Sequence, residues 1–130
     1  MRYLGIDYGT KRVGVALSDT SGMMAFPREV IHNGKDLIKN IADIVKKEGV
    51  DTVVVGESRN SEGKENPLME KVHAFIKELQ KELPETHIAL HPEFFTSHQA
   101  VQLQGRTATL DASAAAIMLQ AYIDKVQNSK

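Results

Sequence analysis

Three acidic residues of this 130-residue chain, Asp7, Glu93 and Asp111, stand at places from which a fold could bring them together. Carboxylates that converge from separate elements are hard oxygen ligands. Hydrolysis of a phosphodiester with two divalent ions needs such a set, because the ions sit about 4 Å apart and clamp the attacking and leaving oxygens. Asp7 follows Tyr3, Leu4, Gly5 and Ile6, so alternation puts Leu4 and Ile6 on one face and Gly5 and Asp7 on the other. An Asp ahead of Tyr-Gly-Thr also suits a plain turn. Gly5 and Gly9 weigh toward chemistry, since they would let a ligand backbone or a metal-bound phosphate come close. Glu93 lies in HPEFF, just beyond the strand HIAL, where a lone Glu also reads as a solvated loop residue. Asp111 begins the last helix, and an acid there also caps orphan N–H groups and suits the helix dipole. Around it Ala108, Ala112, Ala114, Ala115 and Ala116 make a slim helix, able to lie close on a sheet and carry Asp111 toward Asp7.

The elements that must position these residues follow from periodicity. Residues 2–7 and 12–18 read as two strands, and DYGTK between them makes an antiparallel hairpin with Gly9 at a permissive position. A third strand is expected over Phe26 to His32. Leu37, Ile38, Ile41, Ile44 and Val45 recur at threes and fours, predicting a helix over 36–48 that Gly49 ends. VDTVVVG reads as a central strand buried on both faces, and ESRNSEGKEN as a loop. Pro67 opens a second helix with Leu68, Val72, Phe75, Ile76 and Leu79 on one stripe. A short strand over His87 to Leu90, a helix over Ser97 to Leu103 and a final helix from about Leu110 to Val126 complete the order β-β-β-α-β-α-β-α-α. The fold class is therefore α/β, a mixed five-stranded sheet with helices packed on it.

Bulk composition narrows the function. The length suits one domain over residues 1–130. The sequence has no cysteine, which excludes a disulfide framework and thiolate metal sites. Its apolar runs fall short of the roughly 20 residues that cross a bilayer, and the N-terminus lacks a basic segment followed by an apolar one, so a cytoplasmic protein without membrane contact is expected. With 16 Lys plus Arg against 17 Asp plus Glu, net charge is −1, which excludes a protein that coats nucleic acid by charge alone but allows an enzyme with a local basic patch. Lys11 and Arg12 after the Asp7 turn, Arg59 and Lys64 flanking Asn60, and Arg106 before the last helix are the candidate nucleic-acid contacts, positioning phosphates without base preference. His91, Glu93 and His98 form a competing metal cluster, although their spacing fits neither one helix face nor a familiar zinc motif. His32, His73 and His87 read as surface or strand-end residues.

These motifs together resemble the YqgF family, small bacterial proteins described as pre-16S ribosomal RNA nucleases and, earlier, as Holliday junction resolvases, with the ribonuclease H-like fold. GIDYGTKRVGVALSD, residues 5–19, is close to the family's first motif, in which the residue matching Asp7 is a metal ligand. VVVGESRNSEG, residues 53–63, resembles a glycine and asparagine loop whose Gly, Asn and second Gly fall on Gly56, Asn60 and Gly63. LDASAAAIMLQAYID, residues 110–124, matches the last helix with Asp111 in the place of its acidic ligand. Two stretches depart from the family. Pro92-Glu93-Phe94-Phe95-Thr96 stands where Asp-Glu-Arg-Leu-Thr is common, keeping the Glu and losing its acidic and basic neighbours, and the loop has Ser58 and Asn66 in place of a usual Pro and third Gly.

The resemblance implies a metal-dependent nuclease in which Asp7, Glu93 and Asp111 hold Mg²⁺ or Mn²⁺ and the substrate is structured RNA, here the 5′ end of precursor 16S ribosomal RNA. A four-way DNA junction is the alternative substrate, and its symmetric cutting would need a dimer. No dedicated dimer stripe stands out, so a monomer or weak homodimer is expected. Two readings from other classes stand beside this one. DYGT also matches the hairpin that cradles ATP phosphates in actin-like and sugar kinases, which need two lobes where this chain has one. Pro92 and Phe94 also fit a ribonuclease H-like domain that binds RNA without cutting it.

Overall fold

The computed structural model describes residues 1–59, 69–94 and 108–128, with 57–59, 92–94 and 108–111 described as backbone. Strands β1 (Tyr3–Asp7), β2 (Arg12–Ser18) and β3 (Ala25–His32) come first, then helix α1 (Leu37–Glu48), strand β4 (Thr52–Arg59), helix α2 (Met69–Glu82), strand β5 (His87–Phe94) and helix α3 (Ala108–Asn128). One five-stranded sheet runs in the order β3-β2-β1-β4-β5. The β1–β2–β3 meander is antiparallel, and β4 and β5 add to β1 in parallel. This is the mixed sheet of a ribonuclease H-like α/β fold. The expected helix over Ser97 to Leu103 lies outside the described residues.

Alternation along the strands divides the core. Leu4, Ile6, Val13, Val15, Leu17, Val53 and Val55 face α1 and α2, meeting Ile41, Val45, Met69, Val72, Phe75 and Leu79. Tyr3, Ala16 and Val54 face the other way, onto Ala115, Met118, Leu119 and Ile123 of α3. Leu4, Ile6, Val53 and Val55 are fully buried, each contributing about 1.5–3 kcal/mol relative to exposure. Helix α1 ends where expected: Gly49 takes the left-handed conformation (φ 65°) and its N–H donates to the Val45 carbonyl.

Three expectations need correction. Gly9 has no positive φ; a Cβ there would stand 2.4 Å from the Arg12 carbonyl oxygen, so the turn needs its lack of bulk. Strand β4 continues through Glu57, Ser58 and Arg59, and β5 through His91, Pro92, Glu93 and Phe94, in register with each other (Gly56 with His91, Ser58 with Glu93). Both stretches are polar and read as loop, yet a parallel ladder joins backbones whatever the side chains are. Pro92 is tolerated because β5 is an edge strand. Asp111 lies in the first turn of α3, with the helix beginning at Ala108.

The β2–β3 turn is held by Asp19. Its carboxylate accepts from the Ser21 hydroxyl (2.7 Å) and the Met23 and Met24 N–H groups (2.8 and 3.2 Å). Those bonds, the Ser21 one foremost, lower its pKa to about 2. Gln120 of α3 then clasps the start of β3, accepting from the Ala25 N–H (2.8 Å) and donating to the Met23 carbonyl (3.1 Å).

Candidate active site

Asp7 ends β1, the central strand, and is half-buried. Its antiparallel partner is Gly14. On the other side Ile6 pairs with Val55, which sets Gly56 beside Asp7. Both flanking positions therefore carry no side chain, and both are buried.

The same face shows how α3 is laid on the sheet. The Tyr3 ring meets Tyr122 edge-on at 5.8 Å. Two residues along β1, a Cβ on Gly5 would stand 2.8 Å from Leu119 Cβ and 3.3 Å from the Ala115 carbonyl oxygen. The space at Gly5 is thus filled by α3, which corrects the expectation that it admits a ligand. A two-residue step along a strand covers about 6.6 Å and a helical turn about 5.4 Å. The step that carries Tyr3 to Gly5 carries Tyr122 to the 115–119 turn, so the N-terminal end of α3 points along β1 toward its Asp7 end. Ala112, Ala114 and Ala115 are buried at 5%, 3% and 0% exposure, so alanine allows this close approach.

Position 93 comes from β5. Ala89 pairs with Val54 of the α3 face, and His91 contacts Tyr122 edge-on at 5.8 Å. Alternation assigns position 93 to that face too. Counting two strand spacings across and two residues along puts it roughly 12 Å from Asp7 at Cα. The topology thus puts positions 7 and 93 toward the same end of the sheet face that α3 covers. Among the described residues no group of three or more His, Cys, Asp or Glu forms a metal-holding cluster.

Lys11 and Arg12 are exposed at this same end, in the turn after Asp7 and at the start of β2. Arg59 is the last residue of β4, and alternation from Val53 and Val55 puts its position on the opposite face. Asn60, Lys64, Arg106 and His98 lie outside the described residues. His32, His73 and His87 are exposed, as expected. The stack of His91 and Tyr3 on Tyr122 was not foreseen. Burial, and then the Lys125 charge, lower the His91 pKa, while burial raises that of Tyr122. Extending the alternation of HIAL through His91 would have revealed it.

A sequence profile described as "RuvX: Holliday junction resolvase" matches residues 1–125. The chain belongs to this family. A relative from Chlorobaculum tepidum, named "Putative pre-16S rRNA nuclease", is 33% identical over 133 residues, covering 95% of this chain and 93% of its own length. One from Fusobacterium nucleatum with the same name is 35% identical, covering 95% and 96%. Among solved structures, Thermus thermophilus RuvC in complex with Holliday junction substrate superposes with a TM-score of 0.61 at 16% identity, covering 99% of this chain and 97% of that one. The fowlpox virus resolvase bound to junction DNA gives 0.56 at 12%, covering 97% and 99%. These two likenesses show that this chain shares their fold. Among the described residues no helix is long and apolar enough to cross a membrane.

Proposed function

We propose that the chain, as one domain over residues 1–130, is a metal-dependent nuclease that hydrolyses phosphodiester bonds in structured RNA, trimming the 5′ end of precursor 16S ribosomal RNA in the cytoplasm as a monomer or weak homodimer. What supports this reading is that Asp7 and position 93 lie toward the same end of the sheet face covered by α3, the helix that carries Asp111. The naming of full-length relatives as pre-16S rRNA nucleases supports the substrate.

Hard oxygen donors fit Mg²⁺ or Mn²⁺, and Asp7, Glu93 and Asp111 are the residues that would hold the ions. When bound, such ions acidify a water and stabilise charge on a leaving oxygen. The chain's own share is to carry and orient the three carboxylates. Lys11 and Arg12 at the rim hold the phosphates of the strand, joined by Arg59, Asn60, Lys64 and Arg106 from their segments. No side-chain nucleophile is required.

The test is incubation with single-stranded RNA, precursor ribosomal RNA fragments and a four-way DNA junction, with Mn²⁺ or chelator, beside Asp7→Asn. Metal-dependent cleavage of the precursor that is lost in the variant supports the proposal. Fastest cutting of the junction would instead favour the resolvase reading that the family's description carries. RNA binding without cleavage of any substrate would mark Pro92 and Phe94 as signs of a binding surface.

A further inference from the structure

On the face opposite Asp7, next to it in sequence, lies a cleft of about 290 Å³ that the mechanism above does not use. Its floor is Tyr8, half-buried and tilted on Phe75 with ring centroids 5.1 Å apart. Asn33 builds one wall by lacing the end of β3 to the β1–β2 turn: its N–H donates to the Lys11 carbonyl (2.9 Å) and its side-chain amide to the Gly9 carbonyl (2.7 Å). That lacing sets Lys35 at the cleft. The other wall is one stripe of α2, in which Lys71 and Phe75 lie a turn apart and Glu78 follows. Lys35 and Lys71 are exposed, and among the described residues neither is in an ion pair. Two cations against one carboxylate, over an aromatic floor, complement a nucleotide: its base has a π-face for Tyr8 and its phosphate an anion for the lysines.

We infer that this cleft binds one unpaired nucleotide of the substrate strand, its base on Tyr8 and its phosphate between Lys35 and Lys71, an inference that rests on the nucleic-acid reading above. The end of β1 then acts as a lip. The strand crosses it, with the phosphate to be cut at Asp7 on one face and a neighbouring nucleotide held on the other.

Binding of a fluorescent 12-nucleotide single-stranded RNA, and of the DNA of the same sequence, is measured in chelator across a salt series, so that the result does not depend on cleavage. For single strands each neutralised phosphate contributes about 0.7 to the salt slope, and the two lysines share one phosphate, so Lys35→Gln/Lys71→Gln should lower it by about 0.7 and weaken binding about 5-fold at 0.1 M salt. Tyr8→Leu should weaken binding by roughly 5- to 150-fold and Tyr8→Phe should restore it, as stacking requires. Because Tyr8 packs on Phe75, Tyr8→Leu is read only if it melts cooperatively; the lysines are at the surface and carry the test otherwise. An unchanged salt slope in the lysine variant, or native affinity in a folded Tyr8→Leu, overturns the inference. Equal losses for RNA and DNA are expected, since nothing in the cleft reads a 2′-hydroxyl; loss for only one of them would refute recognition through base and phosphate alone. A protein that binds in this way yet never cuts would sink the nuclease proposal and leave the cleft standing.

Discussion

Gly5→Ala tests how the site is assembled. The added methyl would stand 2.8 Å from Leu119 Cβ and 3.3 Å from the Ala115 carbonyl oxygen. Carbon atoms prefer about 3.5–4.0 Å. Neither neighbour is the free end of a side chain, so relief requires α3 to move away from β1 by about 1 Å. Overpacking of this kind costs about 1–3 kcal/mol. Replacing Gly by Ala also restricts the unfolded chain, which returns about 0.4–1 kcal/mol. The net loss is about 1–2 kcal/mol, or about 4–8 °C in Tm for a chain of this size. Activity should fall further than stability explains, because α3 also carries residue 111, and a 1 Å misplacement costs on the order of 100-fold in rate. Urea denaturation and metal-dependent cleavage, both at a temperature where the variant is folded, separate the two effects. A variant as stable as the native protein, or more so, would refute this packing of α3 on β1.

Other predictions follow from single features. Gly49→Ala meets nothing within 4 Å but must adopt φ 65°, so urea denaturation should show a loss of about 1 kcal/mol from the backbone alone. Asp19 has a depressed folded pKa of about 2, so its stabilising contribution is full above its unfolded value and is lost as pH falls through the folded one. The Tm difference between the native protein and Asp19→Asn should therefore shrink from pH 5 toward pH 2, and a constant difference would contradict the assignment. Gln120→Ala frees the Ala25 N–H and the Met23 carbonyl; a loss of about 1–2 kcal/mol and faster amide exchange at Ala25 are expected.

Much of this arrangement is legible in the sequence because one physical cause dominates each segment. Leu4 and Ile6 alternate with Tyr3 and Gly5, and the structure splits them between the two cores. The stripe of α1 and its Gly49 stop follow from helical period and the left-handed cap. The tails of β4 and β5 were harder, because Glu57-Ser58-Arg59 and His91-Pro92-Glu93 have no apolar pattern; only pairing with each other makes them strands, and pairing is non-local. The role of Gly5 was hidden for the same reason. Whether a missing side chain makes room for a ligand or for Leu119 depends on where the other end of the chain lies. Asp7 sits as alternation required, while Asn60, Lys64 and Arg106 fall outside the described residues.

The seating of α3 on β1, β2 and β3 joins the last described helix to the first strands, with Tyr3 against Tyr122 and Ala25 on Gln120. On a ribosome the meander emerges first and must wait, its α3 face uncovered, until residues beyond 108 have left the tunnel. Tyr3, Gly5 and Ala16 have no partners from α3 until then. A nascent chain of this kind cannot close the α3 half of its core while most of it is still being made, so the order of synthesis itself sets when the fold is complete.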